Sequence, residues 1–219
     1  MIAMLVTALR AALATCLLCG LLYPLAVCGL AQILVPDQAN GSLDRDADGT
    51  IIGSSLIGQR WDGPEWFHGR PSATTGVDPS DATKTVPAPY NAASSTGSNL
   101  GPTSQALKDR LVADREALEL ARPELAGKLL PADMLTASAS GLDPDISPAN
   151  AFLQAPVVAR ARGVPTDRID DLIRSRVTDR SLDVFGEKRV NVMALNLALR
   201  RTYPPPAPGT PPQRQGAPQ

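Results

Sequence analysis

Residues 11 to 35, AALATCLLCGLLYPLAVCGLAQILV, contain no charged side chain and stand near the start of a chain whose remaining length is rich in polar residues. At ~1.5 Å of rise per residue such a run spans ~37 Å as a helix, more than the ~30 Å hydrocarbon core of a bilayer. One membrane-spanning helix is therefore expected. A cleaved signal peptide competes with this reading, but its apolar region runs only ~7 to 15 residues and ends at a small-x-small site. Here the run is longer and ends Gln32-Ile33-Leu34-Val35. Leu25-Ala26-Val27-Cys28 loosely resembles a lipoprotein processing site, yet bulky Val27 occupies a position where such sites carry a small residue.

The flanks set an orientation. Arg10 and the chain amine precede the run, no Lys or Arg follows until Arg45, and Asp37, Asp44, Asp46 and Asp48 crowd the far side. Positive charge stays in the cytoplasm. Residues 1–10 are expected as a short cytoplasmic N-terminus, 11–35 as a single pass through the cell (inner) membrane, and 36–202 as an extracytoplasmic domain.

That outer part is long enough for one core rather than two. All three cysteines, Cys16, Cys19 and Cys28, lie in the membrane segment, so the outer domain must fold without a disulfide. With 22 acidic against 21 basic residues the chain is nearly neutral, which argues against nucleic acid or an anionic membrane surface as a partner. The stretch from Tyr203, YPPPAPGTPPQRQGAPQ, has too few aliphatic side chains to offset its ordering entropy, so 203–219 is expected to be a disordered proline-rich tail.

From Asn40 to about Pro102 the chain is rich in Gly, Ser, Thr, Asn and Pro, broken by short apolar stretches at Thr50–Ile52 and Ser55–Ile57, which suggests short strands joined by turns. Helical periodicity follows. Leu107, Leu111, Val112, Leu118 and Leu120 repeat among charges, with Thr103 or Ser104 as N-cap and Pro123 as a stop. A second helix begins at Ser147, with Pro148 at the first position, Pro156 as a bend or restart and Gly163 as terminator. A third runs from Thr166 to about Arg176 with Ile169, Leu172, Ile173 and Val177 inward, and a last from Asn191 to Arg200 around Val192, Leu195 and Leu199. Strands followed by helices give the α+β class: one N-terminal transmembrane helix, then a single mixed strand and helix domain.

Candidate chemistry is sparse. His68 is the only histidine, which removes zinc sites built on two or three histidines. A Ser, His, Asp triad is not formally excluded, since Ser138, Ser140 and many aspartates are present, but no Gly-x-Ser-x-Gly surrounds a serine and no cysteine lies outside the membrane segment. His68 is read first as a hydrogen-bonded structural residue beside Gly69, Arg70 and Pro71. Asp44, Asp46, Asp48 and Gly49 match the first half of a calcium loop, but Ser55 stands where the bidentate Glu is needed, so a solvated turn between two short strands is the better reading. No phosphate-cradling loop occurs. The segment TASASGLDPDISPANAFLQ, 136–154, leads small hydroxyl residues and an Asp143-Pro144 turn into the Ser147 cap, and either packs on another backbone or faces a partner.

Taken together, GSSLIGQ at 53–59, FHGRPSA at 67–73, GSNLGP at 97–102, TASASGLDPDIS at 136–147 and VNVMALNLAL at 190–199 resemble the C subunit of the Kdp-type high-affinity potassium-transporting ATPase. The match covers the anchor and nearly the whole outer domain, missing the acidic insert near Asp44 and the tail. The resemblance implies a complex with a channel-like potassium-conducting subunit, a P-type ATPase subunit and a small hydrophobic subunit. The C subunit would be the non-catalytic accessory chain, stabilising the assembly and serving as a catalytic chaperone that supports ATP binding by the ATPase subunit. No cofactor would be bound autonomously, ATP and potassium being handled by the complex. Nucleotide contact, where the family view invokes it, carries over to Gln154, with Ser138, Ser140 and Gly141. An external domain and cytoplasmic ATP lie on opposite sides of a ~30 Å barrier, so an effect on ATP should be transmitted through the complex.

A more physical role is to cap the external mouth of the conducting subunit, where Asp133, Asp143 and Asp145 would add negative potential. The glycine-rich motifs around His68, Arg70, Asn99 and Asp143 are the expected docking face. Gly20 is a second one, because Ala12, Cys16, Gly20, Pro24 and Cys28 place small residues at a four-residue spacing that lets helices approach closely. The competing function is a membrane-anchored extracytoplasmic enzyme or solute-binding domain acting alone.

Overall fold

This computed structural model describes residues 1–46 and 48–205. The proline-rich stretch expected to be disordered lies, from residue 206 on, outside the described residues. By its internal contacts the chain divides into two compact units, Met1–Ser54 and Ser55–Gln219.

The first unit is one continuous apolar helical rod, Ile2–Leu34, followed by a small hairpin. Its segments are α1 (Ile2–Leu17), a π-helical turn (Leu18–Leu22) and α2 (Tyr23–Leu34). Residues 2–10 are thus helical as well, since IAMLVTALR holds neither Gly nor Pro to stop propagation backwards. The wide turn sits just before Pro24, which has no N–H to give to the Gly20 carbonyl, and π turns occur where the regular ladder is interrupted in this way. No residue of the rod is buried within the chain. A helix apolar on all sides is stable only in lipid or among other helices.

After α3 (Pro36–Ala39), strand β1 (Leu43–Arg45) pairs antiparallel with β2 (Ile51–Ser54). The acidic stretch between them is the turn expected: Asp46 N–H donates to Thr50 O at 2.9 Å, Gly49 N–H to Asp46 O at 3.0 Å, and Thr50 N–H to the Asp48 carboxylate at 3.1 Å. Ser54 Oγ donates to Gly41 O at 2.6 Å and Ser42 N–H to Asp37 O at 2.8 Å. These bonds fasten the hairpin to α3. By internal contacts residues 36–54 group with the helical rod.

The second unit opens with a hairpin, β3 (Thr75–Asp78) on β4 (Asp81–Pro87), that no apolar run had marked, whereas Ser55–Ile57 forms a turn rather than a strand. Helix α4 (Gln105–Ala121) follows and ends where Arg122 turns extended ahead of Pro123. A small antiparallel sheet, β5 (Asp145–Ile146), β7 (Arg189–Asn191) and β6 (Val177–Thr178), places Val190 centrally between Ile146 and Val177. Three helices complete the unit: α5 (Pro148–Arg162), α6 (Thr166–Arg174) and α7 (Val192–Thr202). Helix α5 runs unbroken through Pro156 and ends at Gly163, which adopts the left-handed φ of 68°.

The core lies between α5, α6, α7 and the small sheet. Phe67, Ile146, Ala151, Ala155, Val158, Ile169, Ile173, Val190, Leu195 and Leu199 are all buried there. Alanines on the inner face of α5 allow close approach, while Ile and Leu from α6 and α7 supply the volume. Arg162 closes one end: Nε donates to Glu65 O at 2.9 Å, Nη1 to Tyr203 O at 2.7 Å, and the guanidinium stacks 4.3 Å over the Trp66 ring.

Candidate functional site

Two side-chain amides hold the start of the FHGRPSA motif. Asn196 on α7 accepts from Phe67 N–H and donates to Phe67 O, both at 2.9 Å. Gln154 on α5 does the same one residue later, accepting from His68 N–H at 2.9 Å and donating to His68 O at 3.0 Å. Its second N–H goes to Asn150 Oδ1 at 2.8 Å. A stretch of backbone with no strand partner thus crosses the core fully satisfied, each amide replacing one ladder pair. His68 leaves this clamp with its ring Nε2 3.0 Å from Gly63 O. Burial, with nearby Arg122, holds the ring below its ordinary 6.5.

Beyond His68 the chain enters a network of small hydroxyls. Ser72 Oγ donates to Gly141 O at 2.7 Å and accepts from Tyr90 N–H at 3.0 Å, and Thr74 Oγ1 donates to Ala88 O at 2.6 Å and accepts from Asn91 N–H at 3.1 Å. Tyr90 Oη donates to Arg70 O at 2.6 Å. Burial first, then the Asp143 carboxylate, push the Tyr90 phenol up to about 12. Ser138 Oγ accepts from Gly141 N–H at 2.9 Å and Ser140 Oγ from Leu142 N–H at 3.1 Å, so the two hydroxyls form the tight turn of the TASASGLDP segment.

Two glycines are obligatory in this packing. Gly141 has a φ of 67°, and a Cβ there would lie 2.5 Å from Thr74 Cγ2 and 2.7 Å from Thr96 O. Gly58, whose N–H donates to Leu142 O at 2.8 Å, would set a Cβ 2.5 Å from Asp143 O. The segment therefore packs against backbone, one of the two roles its sequence suggested.

Its outer edge carries charge. Arg70 Nη1 donates to Asp143 Oδ2 at 2.9 Å, with both side chains about a quarter exposed, while Asp143 Oδ1 accepts from Asp145 N–H at 3.0 Å. The other contacts of the Arg70 guanidinium, from Nη2 to Thr136 and Ala137, are 3.4 to 3.5 Å long, and its buried Nε–H has no acceptor among the described residues. The pair borders a cleft of about 570 Å³ lined also by Asp133, Asp145, Lys188 and Arg189. Asp133 accepts from Ser147 N–H at 2.7 Å, from Ser147 Oγ and from Asn150, so it caps α5 together with Ser147 itself. Asp145 pairs with Arg189 at 3.0 Å, yet burial still raises its carboxyl above the usual range.

The structure thus brings together His68, Arg70, Asp143, Ser138, Ser140, Gly141 and Gln154. Asn99 stands apart from that network, exposed and with a left-handed φ of 52°. Gly20 lies in the π turn of the first unit, with open space where a Cβ would be. Sequence reasoning missed Asn196, Ser72, Thr74 and Tyr90. Asn196 had one signal, a polar residue on the otherwise apolar inner face of α7.

A family profile described as K+-transporting ATPase, c chain, matches residues 5–201. The chain is 58% identical over 183 residues to the potassium-transporting ATPase KdpC subunit of Methylobacterium nodulans, covering 84% of this chain and 89% of that protein. It is 57% identical over 182 residues to the subunit of the same name from Bradyrhizobium diazoefficiens, covering 83% and 89%. The Rhodopseudomonas palustris subunit is 54% identical over 192 residues, covering 88% of this chain and 94% of its own length. By the extent of these matches, the chain belongs to the KdpC family, the c chain of the K+-transporting ATPase.

Proposed function

We propose that this chain is a non-catalytic docking subunit of the potassium-transporting ATPase, held by one helix with residue 1 in the cytoplasm and its second unit outside, over the mouth of a potassium-conducting subunit. The P-type ATPase subunit and the small hydrophobic subunit complete the assembly, and ATP and potassium are handled by those chains. The Arg70–Asp143 pair carries the reading. Its guanidinium makes one short bond, 2.9 Å to Asp143, and faces an open cleft, an arrangement that a carbonyl or carboxylate of a neighbouring chain completes. The only histidine keeps its ring nitrogen on a backbone carbonyl 3.0 Å away, which suits a structural role rather than a general base.

Support for ATP binding is best read as transmitted through the assembly. Gln154 is 2% exposed and spends both amide hydrogens and its oxygen on Asn150 and His68, so direct contact would require breaking the backbone clamp. Asp133, Asp143 and Asp145 are likewise engaged, by the α5 terminus, Arg70 and Arg189, which blunts the negative potential that capping by charge alone would need.

The test is retention of the complex. Arg70→Ala and Asp143→Ala should each weaken co-purification of the potassium-conducting subunit from gently solubilised membranes, with the chain itself still inserted. Normal assembly and potassium uptake in both variants would overturn the docking assignment. Migration of the unaltered chain as a lone ~23 kDa species in native electrophoresis would instead favour an anchored domain acting by itself.

A further inference from the structure

Tyr203 is where the chain leaves the fold. Its N–H donates to Leu199 O at 2.8 Å and its carbonyl accepts from Arg162 Nη1 at 2.7 Å, so the root of the proline-rich stretch is held against the core. The guanidinium that holds it lies 4.3 Å over the Trp66 ring, and Trp66 meets Trp61 with ring centroids 4.9 Å apart. Trp61 in turn lines a groove of about 370 Å³ together with His68, Pro71, Pro89, Tyr90 and Met134. Both tryptophans are half-buried, and the chain has no others.

Groove and tail match in chemistry. Six of the nine residues 204–212 are proline, a density that favours the polyproline II helix, in which carbonyls stay free and prolines have no N–H to donate. Aromatic-lined grooves take such preformed segments. Trp61 brings a ring to the groove wall and an Nε1–H that is buried without an acceptor among the described residues. Proline carbonyls are the acceptors that such a wall lacks. Reach is no obstacle: at ~3.1 Å per residue the stretch after Pro205 covers ~40 Å, and its root is one guanidinium away from Trp66. Tethering at Tyr203 also gives it an effective concentration on the order of millimolar, which a segment of another chain must outcompete. The family match ends at residue 201, so this stretch lies outside it.

We propose that residues 206–212, PAPGTPP, turn back and occupy the Trp61 groove of their own chain. The contact is internal to the chain and independent of the docking-subunit reading. A benzophenone amino acid in place of Ala207, in the full chain within native membranes, is expected to give an ultraviolet-induced adduct inside the same chain, mapped by mass spectrometry to residues 59–72 or 89–90. An adduct only with lipid, a second copy or another protein would overturn the proposal, as would no adduct at all. Serine in place of Pro206, Pro208, Pro211 and Pro212 is expected to abolish the internal adduct. Its persistence would mean that tethering alone brings Ala207 near, and would overturn recognition by the groove. Because both tryptophans stand at this site, a chain ending at Pro205 is expected to show red-shifted emission and stronger acrylamide quenching than the full chain. Equal emission and quenching from the two chains would overturn occupancy of the groove.

Discussion

Helix α4 buries none of its seventeen residues, whereas α7, with eleven, buries Val192, Met193, Leu195, Asn196, Ala198 and Leu199. Both carry repeating leucines and both start and stop at legible signals. What holds them differs. Helix α4 is laced by side-chain pairs four residues apart: Gln105 with Asp109 at 2.7 Å, Arg110 with Asp114 at 3.5 Å and Arg115 with Glu119 at 2.8 Å. Each such pair contributes ~0.2 to 0.5 kcal/mol, and the order of basic before acidic is the weaker one. Helix α7 draws on core packing and on the amide clamp at Phe67. Periodicity therefore reports that a segment can be a helix with one apolar face. It does not report whether the fold brings anything to cover that face, and Val112 at 57% and Leu120 at 85% exposed remain uncovered in α4.

The contrast can be tested from its strong end. Leu195→Ala, at a fully buried position, should destabilise the full chain in detergent by about 3 kcal/mol, read from its urea midpoint. A loss below about 1 kcal/mol would mean that α7 is not the centre of the core. Asn196→Ala should cost about 2 kcal/mol, because Phe67 N–H and C=O are left buried without partners. Its Asn196→Asp counterpart should be no better, since a carboxylate accepts from the N–H but repels the carbonyl.

A pH dependence should come from the segment that α7 and α5 clamp. With the folded His68 held below 6.5, the unfolded chain binds a proton that the folded chain refuses. Stability is then complete above pH 6.5 and lost as pH falls through the folded value. His68→Gln should flatten that acid limb in a denaturation series, and an unchanged slope would assign it to another group.

The α4 side of the comparison predicts small numbers. A double-mutant cycle on Arg115 and Glu119, partly exposed at 42% and 26%, should return about 0.4 kcal/mol. Leu120→Ser should move stability by less than about 0.5 kcal/mol while impairing assembly if α4 meets another subunit. A destabilisation near that of Leu195→Ala would show that α4 is packed as tightly as α7.

Much of the architecture was legible. Ser147 and Gly163 bound α5, Asn191 caps α7 through its bond to Ala194 N–H at 2.9 Å, and Pro123 stops α4, because these signals act within a few residues of chain. The β3–β4 hairpin falls in the stretch expected to hold short strands, but its two strands were not individually marked, since TGVD and DATKTVP carry no apolar alternation, their pairing being made by backbone and by turns at Asp78 and Asp81. At the site, Arg70 and Asp143 were expected on one docking face but not as a pair; they stand 73 positions apart, and only the fold brings them to 2.9 Å. Gln154 gained its place from resemblance, yet what it does in the structure, clamping His68 across 86 positions, has no local sequence signal.

The sequence by itself determined the apolar rod, the absence of disulfides outside it, the caps and stops at Pro123, Ser147, Gly163 and Asn191 and, through motifs in order, the family. These follow from composition and from interactions between near neighbours. Only the tertiary structure decided which helix is core and which is edge, that two amides from different helices satisfy one buried backbone stretch, and that Trp61 and Trp66 meet beside the root of the proline-rich stretch. The reason is physical: burial and long-range hydrogen bonding are properties of what a residue meets, and a linear pattern fixes what each residue offers but not its distant partner.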